Sequence, residues 1–198
     1  MARNRDPFMT ALRRQRERAI SGAFRPGRPI VILDEAQAIG LSTTPVREAL
    51  AWLGGEGLVE RGAAGGYLGL RAEPSLIAGR YRMRLRCLLA AVEETTPLVA
   101  ALPSTRSAVL DDIAVGGGDA ILLGVYTRMQ EQLAPLTAVE RTVLGEHPDG
   151  LDAIADARAS GDANQLKTAL EAYHLLRIDA APLLAAALVR RTSDIDNP

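Results

Sequence analysis

Short hydroxyl side chains and one arginine begin the segment LSTTPVREALAWL, residues 41–53. At about 100° per residue, the apolar side chains of this segment fall on one side of a helix, whereas Thr44 and Arg47 fall on the other. A helix in the major groove of DNA needs short hydroxyls in its first turn and an arginine that can reach guanine or a phosphate. The pattern therefore predicts a helix that packs through one face and reads DNA through the other, with contacts from Ser42, Thr43, Thr44 and Arg47.

A purely structural role for these residues is the alternative. The hydroxyls can serve only as helix caps, and Arg47 can cover its own helix or pair with a nearby glutamate. The neighbouring segments favour the DNA-reading interpretation, because they supply the other parts of a DNA-binding unit.

Two further helices are predicted on the N-terminal side of this segment. The first covers residues 9–22, with Arg13, Arg14, Arg16 and Arg18 on its solvent side. IVIL (30–33) is predicted as a short strand or an extended entry, and Asp34 then caps a second helix over residues 35–39, which Gly40 ends. The third helix, capped by Ser42 or Thr44, is predicted to run to Leu53 and to stop at the double glycine that follows. Two helices joined by a tight glycine turn form a helix-turn-helix.

A β-hairpin is predicted directly after the third helix. LVERG (58–62) forms one strand, AAG the tip and GYLGL (66–70) the return strand, with glycines where a positive φ is needed. Such a hairpin lies beside the DNA groove as a wing. We expect Arg61 near the DNA backbone and the small tip, residues 63–66, in a minor groove.

Four segments together resemble the N-terminal winged helix-turn-helix of the GntR family of bacterial transcription regulators: ISGAFRPG (20–27), AIGLSTTPVREAL (38–50), LGGEGLVE (53–60) and GGYLGL (65–70). The resemblance implies that the chain binds a short inverted repeat of double-stranded DNA as a homodimer. It also implies DNA contacts from Ser42, Thr44 and Arg47, with Gly66 as the wing glycine.

Two positions depart from the family pattern. Thr43 stands where the family usually has arginine, and Gly65 stands where the wing often carries a basic residue. Each change removes a charged contact worth up to about 3 kcal/mol. DNA affinity is therefore expected to depend more on Arg13, Arg14, Arg28 and Arg61.

Charge is distributed unevenly along the 198 residues, although the net charge is only -1. Residues 1–71 carry eleven Lys and Arg against seven Asp and Glu, whereas residues 72–198 carry twelve against seventeen. The excess of positive charge in residues 1–71 suits a phosphate-binding domain.

The single cysteine, Cys87, excludes an internal disulfide and is expected in the core. The chain has no apolar span of about 18 residues, so the protein is expected to be cytoplasmic, with no membrane partner.

The rest of the chain is helical in pattern. Pro74 marks a boundary, and residues 75–191 predict six or seven helices of about 10 to 20 residues each. The predicted fold class is thus mainly α: a winged helix-turn-helix domain over 1–71 and an all-α bundle over 72–198. RYRMRLRCLLAAVEE and the segment from GEHPDG to LLAAAL resemble the beginning and end of the effector-binding and dimerisation domain of FadR-type GntR regulators.

That second resemblance implies a small-molecule effector in the bundle, often a carboxylate. Arg86 is predicted to clamp the anion, because it lies beside the apolar residues Leu85 and Cys87 on a helix that we expect to line the bundle. A solvated or DNA-adjacent stripe of Arg80, Arg82, Arg84 and Arg86 is the alternative. Tyr126, Tyr173 and His174 are the other predicted pocket residues.

Many members of that family also bind a divalent metal through one Asp and three His. The usual ligand positions fall here near Glu131, Leu151 and Tyr173, and the chain has only two histidines, His147 and His174. We therefore expect no metal and no other cofactor.

Enzymatic function is not expected, because no nucleophile elbow, phosphate loop, zinc-protease or dinucleotide motif is present.

The segment DAAPLLAAALV (179–189) is apolar on nearly all sides of a helix, which suits a buried dimer interface. The predicted function is a sequence-specific transcription regulator, acting as a repressor, whose operator binding responds to the effector. The alternative is a degenerate winged helix that serves as a protein-interaction module without an effector.

Overall fold

The computed structural model describes residues 6–95, 105, 108–145 and 150–194. These residues contain ten α-helices and one two-stranded antiparallel sheet. Residues 6–72, 134–138 and 186–194 group into one compact unit, and residues 73–133 and 139–185 into a second. The predicted division into 1–71 and 72–198 stays a prediction, and the predicted mainly α fold class with a winged N-terminal part is confirmed.

Three helices and one hairpin make up most of the first unit. Their bounds are α1 Pro7–Ile20, α2 Ile32–Ile39, α3 Thr43–Glu56, β1 Val59–Arg61 and β2 Tyr67–Gly69. Apolar residues from all three helices and from β1 form one core, in which Val46, Ala49, Leu50 and Leu53 of α3 are fully buried. The predicted packing face of α3 is confirmed.

Helix α2 begins earlier than predicted. Val31, not Asp34, holds the N-cap position, and Asp34 and Glu35 lie in the first turn. Carboxylates in a first turn favour the helix, because they face the positive end of its dipole. Ile30 is outside the helix, where its amide donates to the Tyr67 carbonyl oxygen at 2.8 Å and ties the entry segment to the hairpin.

Helix α3 does not stop at the double glycine, so that prediction is wrong. Gly54 and Gly55 continue the helix to Glu56, and Gly57 ends it with φ 73°. The amides of Gly57 and Leu58 donate to the carbonyls of Gly54 and Leu53 at 3.2 and 2.9 Å. This is the hydrogen-bond pattern of a Schellman motif, which needs a left-handed residue at one position, and that position is Gly57.

The predicted hairpin is confirmed. β1 and β2 pair antiparallel, with Val59 opposite Gly69 and Arg61 opposite Tyr67. Residues 26–30 run along the other side of β2 and form single bridges to it. A Cβ on Gly69 would lie 2.2 Å from the Arg25 carbonyl oxygen, so only glycine allows this close approach of two backbones.

Helices make up the second unit. The bounds of the remaining helices of the chain are α4 Pro74–Glu94, α5 Val109–Gly116, α6 Ala120–Leu133, α7 Thr137–Leu144, α8 Leu151–Ser160, α9 Ala163–Asp179 and α10 Ala181–Asp194, with a 3-10 turn over Ala134–Leu136. α4, α5, α6, α8 and α9 contribute buried side chains to one core, and Cys87 lies within it as predicted.

No single helix in the described parts of the chain has the length and apolar composition needed to cross a membrane. Among the same described residues, one pair of helices, Ala163–Asp179 and Ala181–Thr192, reaches that length and composition together, but the two are bent by 61°.

Candidate functional site

The outer face of α3 carries the side chains singled out in the sequence. Ser42, Thr44 and Arg47 are exposed, and Thr43 is half-buried. Ser42 occupies the N-cap position with an extended backbone, yet its hydroxyl makes no capping hydrogen bond. Among the described residues this hydroxyl therefore keeps its hydrogen-bonding capacity for an outside partner.

Arg47 forms no ion pair or hydrogen bond with any residue that the structure describes. Its guanidinium is exposed, while Val46 beside it in the sequence is fully buried. The structural alternative, in which Arg47 pairs with a nearby glutamate, finds no contact within the described parts of the chain.

Seven other arginines between the start of α1 and the segment after β2 fall into two groups. Arg13, Arg28 and Arg61 resemble Arg47: they are exposed and, within the described residues, no carboxylate pairs with them. The second group forms ion pairs, namely Arg14 with Glu17, Arg16 with Glu56, Arg18 with Glu35 and Arg71 with Glu60. Of the four arginines predicted on the solvent side of α1, Arg14, Arg16 and Arg18 thus form ion pairs with glutamates, which reduces the net positive charge of that side.

The hairpin tip is small and exposed. Gly65 and Gly66 have φ of 92° and 73°, and the amide of Gly62 donates to the Gly66 carbonyl oxygen at 3.1 Å. Arg61 stands at the end of β1, next to this tip. Glu60 points to Arg71 instead, accepting from its backbone amide at 2.8 Å and from its Nε at 2.6 Å. This ion pair holds the base of the wing and leaves Arg61 as its outward charge.

In the second unit Arg84 is buried, whereas Arg86 is exposed. The prediction that Arg86 lines the bundle is wrong, because Arg86 is exposed and Arg84 is only 4% exposed. Two residues turn a helix by about 200°, so neighbours at this spacing face opposite ways. The sequence carried a signal for this: Arg84 follows Tyr81 by three residues and precedes Leu88 by four, and both are fully buried.

Arg84 brings three of the predicted pocket residues into one interior cluster. Its Nε donates to Nε2 of His174 at 3.1 Å and its Nη1 to Oε1 of Gln130 at 2.7 Å. Its guanidinium carbon lies 5.7 Å from the centre of the Tyr173 ring. Tyr126 belongs to the same core and donates its hydroxyl to Asp111 at 2.6 Å. Nη2 of Arg84 is buried and has no hydrogen-bond partner among the described residues.

His174 is neutral in this cluster. Burial, reinforced by the charge of Arg84, lowers its pKa from 6.5 to about 3. Its Nδ1 lies 2.7 Å from the Leu170 carbonyl oxygen, which can only accept, so Nδ1 carries the proton and Nε2 accepts from Arg84. His174 therefore adds no second positive charge beside the guanidinium.

A second buried arginine nearby is balanced. Nη2 of Arg177 lies 3.0 Å from Glu140, and its guanidinium carbon lies 3.5 Å from the centre of the Tyr173 ring. Glu140 also accepts from the Tyr81 hydroxyl at 2.6 Å. A cavity of about 190 Å³ is lined by Glu140, Tyr173 and Arg177. Of the two buried guanidinium groups, only that of Arg84 lacks a carboxylate partner in the described part of the second unit.

No group of three or more His, Cys, Asp or Glu side chains suited to a metal ion occurs among the described residues. Glu131, Leu151 and Tyr173, where the family resemblance puts metal ligands, lie on α6, α8 and α9. His147 lies outside the described residues.

Two solved structures are similar to the chain over most of its length. E. coli McbR/YncC matches with a TM-score of 0.64 and 18% identity, over 90% of this chain and 98% of that one. A protein from Rhodococcus sp. RHA1 described as a GntR transcriptional regulator matches with a TM-score of 0.64 and 22% identity, over 91% of this chain and 98% of that one. No family model and no curated protein sequence matches. At these identities the resemblance to GntR regulators is confirmed at the level of the fold.

Proposed function

We propose that the chain is a sequence-specific DNA-binding transcription regulator that reads its operator with the outer face of α3. The proposal rests on a difference between two groups of arginines in the first unit: some form ion pairs and others do not. Arg13, Arg28, Arg47 and Arg61 are exposed without an ion pair among the described residues, whereas four other arginines there are paired with glutamates. Exposed, uncompensated guanidinium groups are what phosphate and guanine contacts require.

We propose a separate task for each group. Ser42, Thr44 and Arg47 enter the major groove with α3, and Thr43 adds a hydroxyl at its edge. Arg61 and Gly66 bring the wing to the DNA backbone and the minor groove, and Arg13 and Arg28 bind phosphates. An operator of two half-sites in inverted repeat then calls for a homodimer. A repressor is the simplest such regulator, since a dimer seated on a promoter blocks it.

The second unit binds an anionic effector at Arg84. A buried charge without a counter-ion is costly, and a carboxylate on Nη2 of Arg84 would remove that cost. Arg84 does not line the cavity of about 190 Å³, but Tyr173 lines it and its ring centre lies 5.7 Å from the guanidinium carbon of Arg84. The proposal therefore puts the body of a small organic acid in the cavity and requires Tyr173 to move for the carboxylate to reach Nη2. Tyr126 and His174 hold the cluster in place.

Effector and operator are linked through the protein. If the effector stabilises one arrangement of the second unit and DNA another, each weakens the binding of the other by the same factor. Such coupling is typically about 1 to 3 kcal/mol.

A gel shift with duplex DNA from upstream of the protein's own gene tests the DNA function. Retention that decreases with salt is expected, and Arg47→Ala should weaken retention of the specific duplex more than that of an unrelated duplex, without unfolding the protein. Arg82→Ala is the matched control, because it removes an exposed guanidinium from the second unit and should leave retention unchanged. No retention at low salt, or equal binding by wild type and Arg47→Ala, refutes the proposal and favours a protein-interaction module.

A thermal-shift screen of small organic acids tests the effector. An acid that raises the melting temperature of the wild type should lose its effect in Arg84→Met, while Arg86→Met, which changes an exposed residue on the same helix, should respond like the wild type. Equal shifts in Arg84→Met would exclude this site.

A further inference from the structure

Glu48 lies on the outer face of α3 and has no partner among the described residues. The described part of the first unit contains five glutamates, and four of them form ion pairs: Glu17 with Arg14, Glu35 with Arg18, Glu56 with Arg16 and Glu60 with Arg71. Glu48 is exposed and takes part in no ion pair or hydrogen bond there. Its carboxylate is therefore an uncompensated negative charge on the helix that the proposed function places in the major groove.

The rest of α3 offers Glu48 no counter-charge. On one helix, a side chain can pair with those three or four positions away. For Glu48 these are Thr44, Pro45, Ala51 and Trp52. Arg47 is adjacent in the sequence, but consecutive residues point about 100° apart around a helix. The two opposite charges therefore lie on different shoulders of the outer face and do not neutralise each other.

Short side chains separate Glu48 from Arg47 on this face. At about 100° per residue, Thr44 and Ala51 point in directions between those of the two charged residues, and all four are exposed. Gly55 continues the same row, and a Cβ added to it would meet nothing within 4 Å. The centre of the helix can thus approach base edges closely, with a hydrogen-bond donor on one shoulder and an acceptor on the other.

A carboxylate in the major groove favours one base over the other three. Cytosine presents its N4 amino group there, and glutamate or aspartate accepts a hydrogen bond from it. Adenine also presents an amino group, but the N7 acceptor beside it repels the second carboxylate oxygen. Guanine and thymine present acceptor oxygens, which repel a carboxylate as well. Cytosine is therefore the base whose edge fits Glu48 best.

We propose that Glu48 is a specificity-determining residue of the operator contact: its carboxylate accepts a hydrogen bond from the N4 amino group of one cytosine in each half-site. The inference rests on the proposed function, since it requires α3 in the major groove. DNA phosphates repel the same carboxylate, so Glu48 also weakens the binding of duplexes that lack a cytosine at that position. Selectivity then comes both from stabilising the right complex and from destabilising wrong ones.

Selection of bound duplexes from a randomised library, with the full-length chain, tests the contact. The wild type should enrich a cytosine at one position of each half-site, and Glu48→Ala should lose that preference. Glu48→Gln should change it to adenine, because a glutamine amide pairs with N6 and N7 of adenine. The guanine that Arg47 contacts should remain in all three selections. The proposal is overturned if Glu48→Ala still enriches the cytosine, or if both variants select the same operator as the wild type.

Fluorescence anisotropy tests the repulsion and the size of the effect. Glu48→Ala should bind an unrelated duplex at least about twofold more tightly than the wild type does, because one negative charge is removed from the DNA-facing side. Exchanging the C·G pair of the operator for T·A should weaken the wild type about tenfold, and Glu48→Ala much less. Glu94→Ala removes an exposed carboxylate from the second unit and should change neither quantity. Equal losses in wild type and Glu48→Ala on that exchange would contradict the cytosine contact.

Failure of this inference and failure of the proposed function give different results. A wild type that selects an operator, with Glu48→Ala and Glu48→Gln selecting the same one, removes the cytosine contact and leaves the regulator. A wild type that enriches no sequence and retains no duplex at low salt removes both.

Discussion

Nε of Arg84 donates a hydrogen bond of 3.1 Å to Nε2 of His174, across 90 positions of the sequence. The bond requires an imidazole that is neutral and carries its proton on Nδ1, because Nε2 must accept from the guanidinium. A protonated His174 would have no acceptor to offer Arg84 and would put a second positive charge beside the first. The bond joins α4 to α9 only while His174 is neutral.

Acid should therefore destabilise the fold through His174. Its pKa is about 3 in the folded protein and near 6.5 when unfolded, so between these values the unfolded chain binds more protons. The contribution of His174 is fully present above about pH 6.5 and is lost as the pH falls toward 3, at no more than about 1.4 kcal/mol per pH unit.

Urea unfolding of wild type and His174→Gln between pH 4 and 8 measures this effect. Glutamine keeps an acceptor for Arg84 but does not titrate. The difference in unfolding free energy should be constant above about pH 7 and should shrink below it. Parallel profiles across the whole range would show that His174 does not titrate in this way.

Removing Glu140 should reduce the free energy of unfolding more than removing an ordinary ion-pair partner, because Glu140 binds both Arg177 and Tyr81. Glu140→Gln leaves the guanidinium of Arg177, with its side chain 5% exposed, without a counter-ion, and we expect a loss of about 3 kcal/mol of unfolding free energy. Glu93→Gln is the matched control. Glu93 pairs with Lys167 but is 67% exposed, so its removal should cost less than about 1 kcal/mol. Equal losses in the two variants would contradict the assignment.

Local periodicity was enough to predict which face of α3 is buried and which is exposed. Val46, Leu50 and Leu53 recur at helical spacing, and the same spacing puts Arg47 outside. The end of the helix was harder, since three glycines stand in a row of four positions. Only the backbone conformation distinguishes Gly57, which needs a positive φ, from Gly54 and Gly55, which are helical.

Ion pairs between residues far apart in the sequence could not be predicted from local patterns. Arg16 and Glu56 are 40 positions apart, and nothing local distinguishes Arg16, which is paired, from Arg13, which is not. The choice between Arg84 and Arg86 is different. The helical spacing from Tyr81 to Leu88 already placed Arg84 on the buried face. The prediction of Arg86 was wrong because it considered the adjacent residues in the sequence and not this spacing.

Two glycine substitutions on α3 should act in opposite directions. Gly57→Ala forces a side chain into a left-handed conformation and should cost about 1 kcal/mol. Gly55→Ala should stabilise by about 0.5 to 1 kcal/mol, because Gly55 is inside the helix, exposed and free of neighbours within 4 Å of its Cβ position. Thermal unfolding of the two variants measures both. The account of how α3 ends would be wrong if Gly57→Ala were the more stable of the pair.

The salt dependence of DNA binding should separate the arginines that hold phosphates from the one that reads bases. Arg28→Gln removes a predicted phosphate contact, so it should reduce the slope of log K against log salt by about 0.9 and weaken binding to every duplex alike. Arg47→Ala should instead reduce the discrimination between operator and mismatched DNA, by about 1 to 3 kcal/mol. Fluorescence anisotropy with both duplexes at several salt concentrations measures each quantity, and Arg82→Gln, which lies in the second unit, should change neither. If Arg28→Gln altered discrimination and Arg47→Ala did not, the roles given to α3 and to the segment before α2 would have to be exchanged.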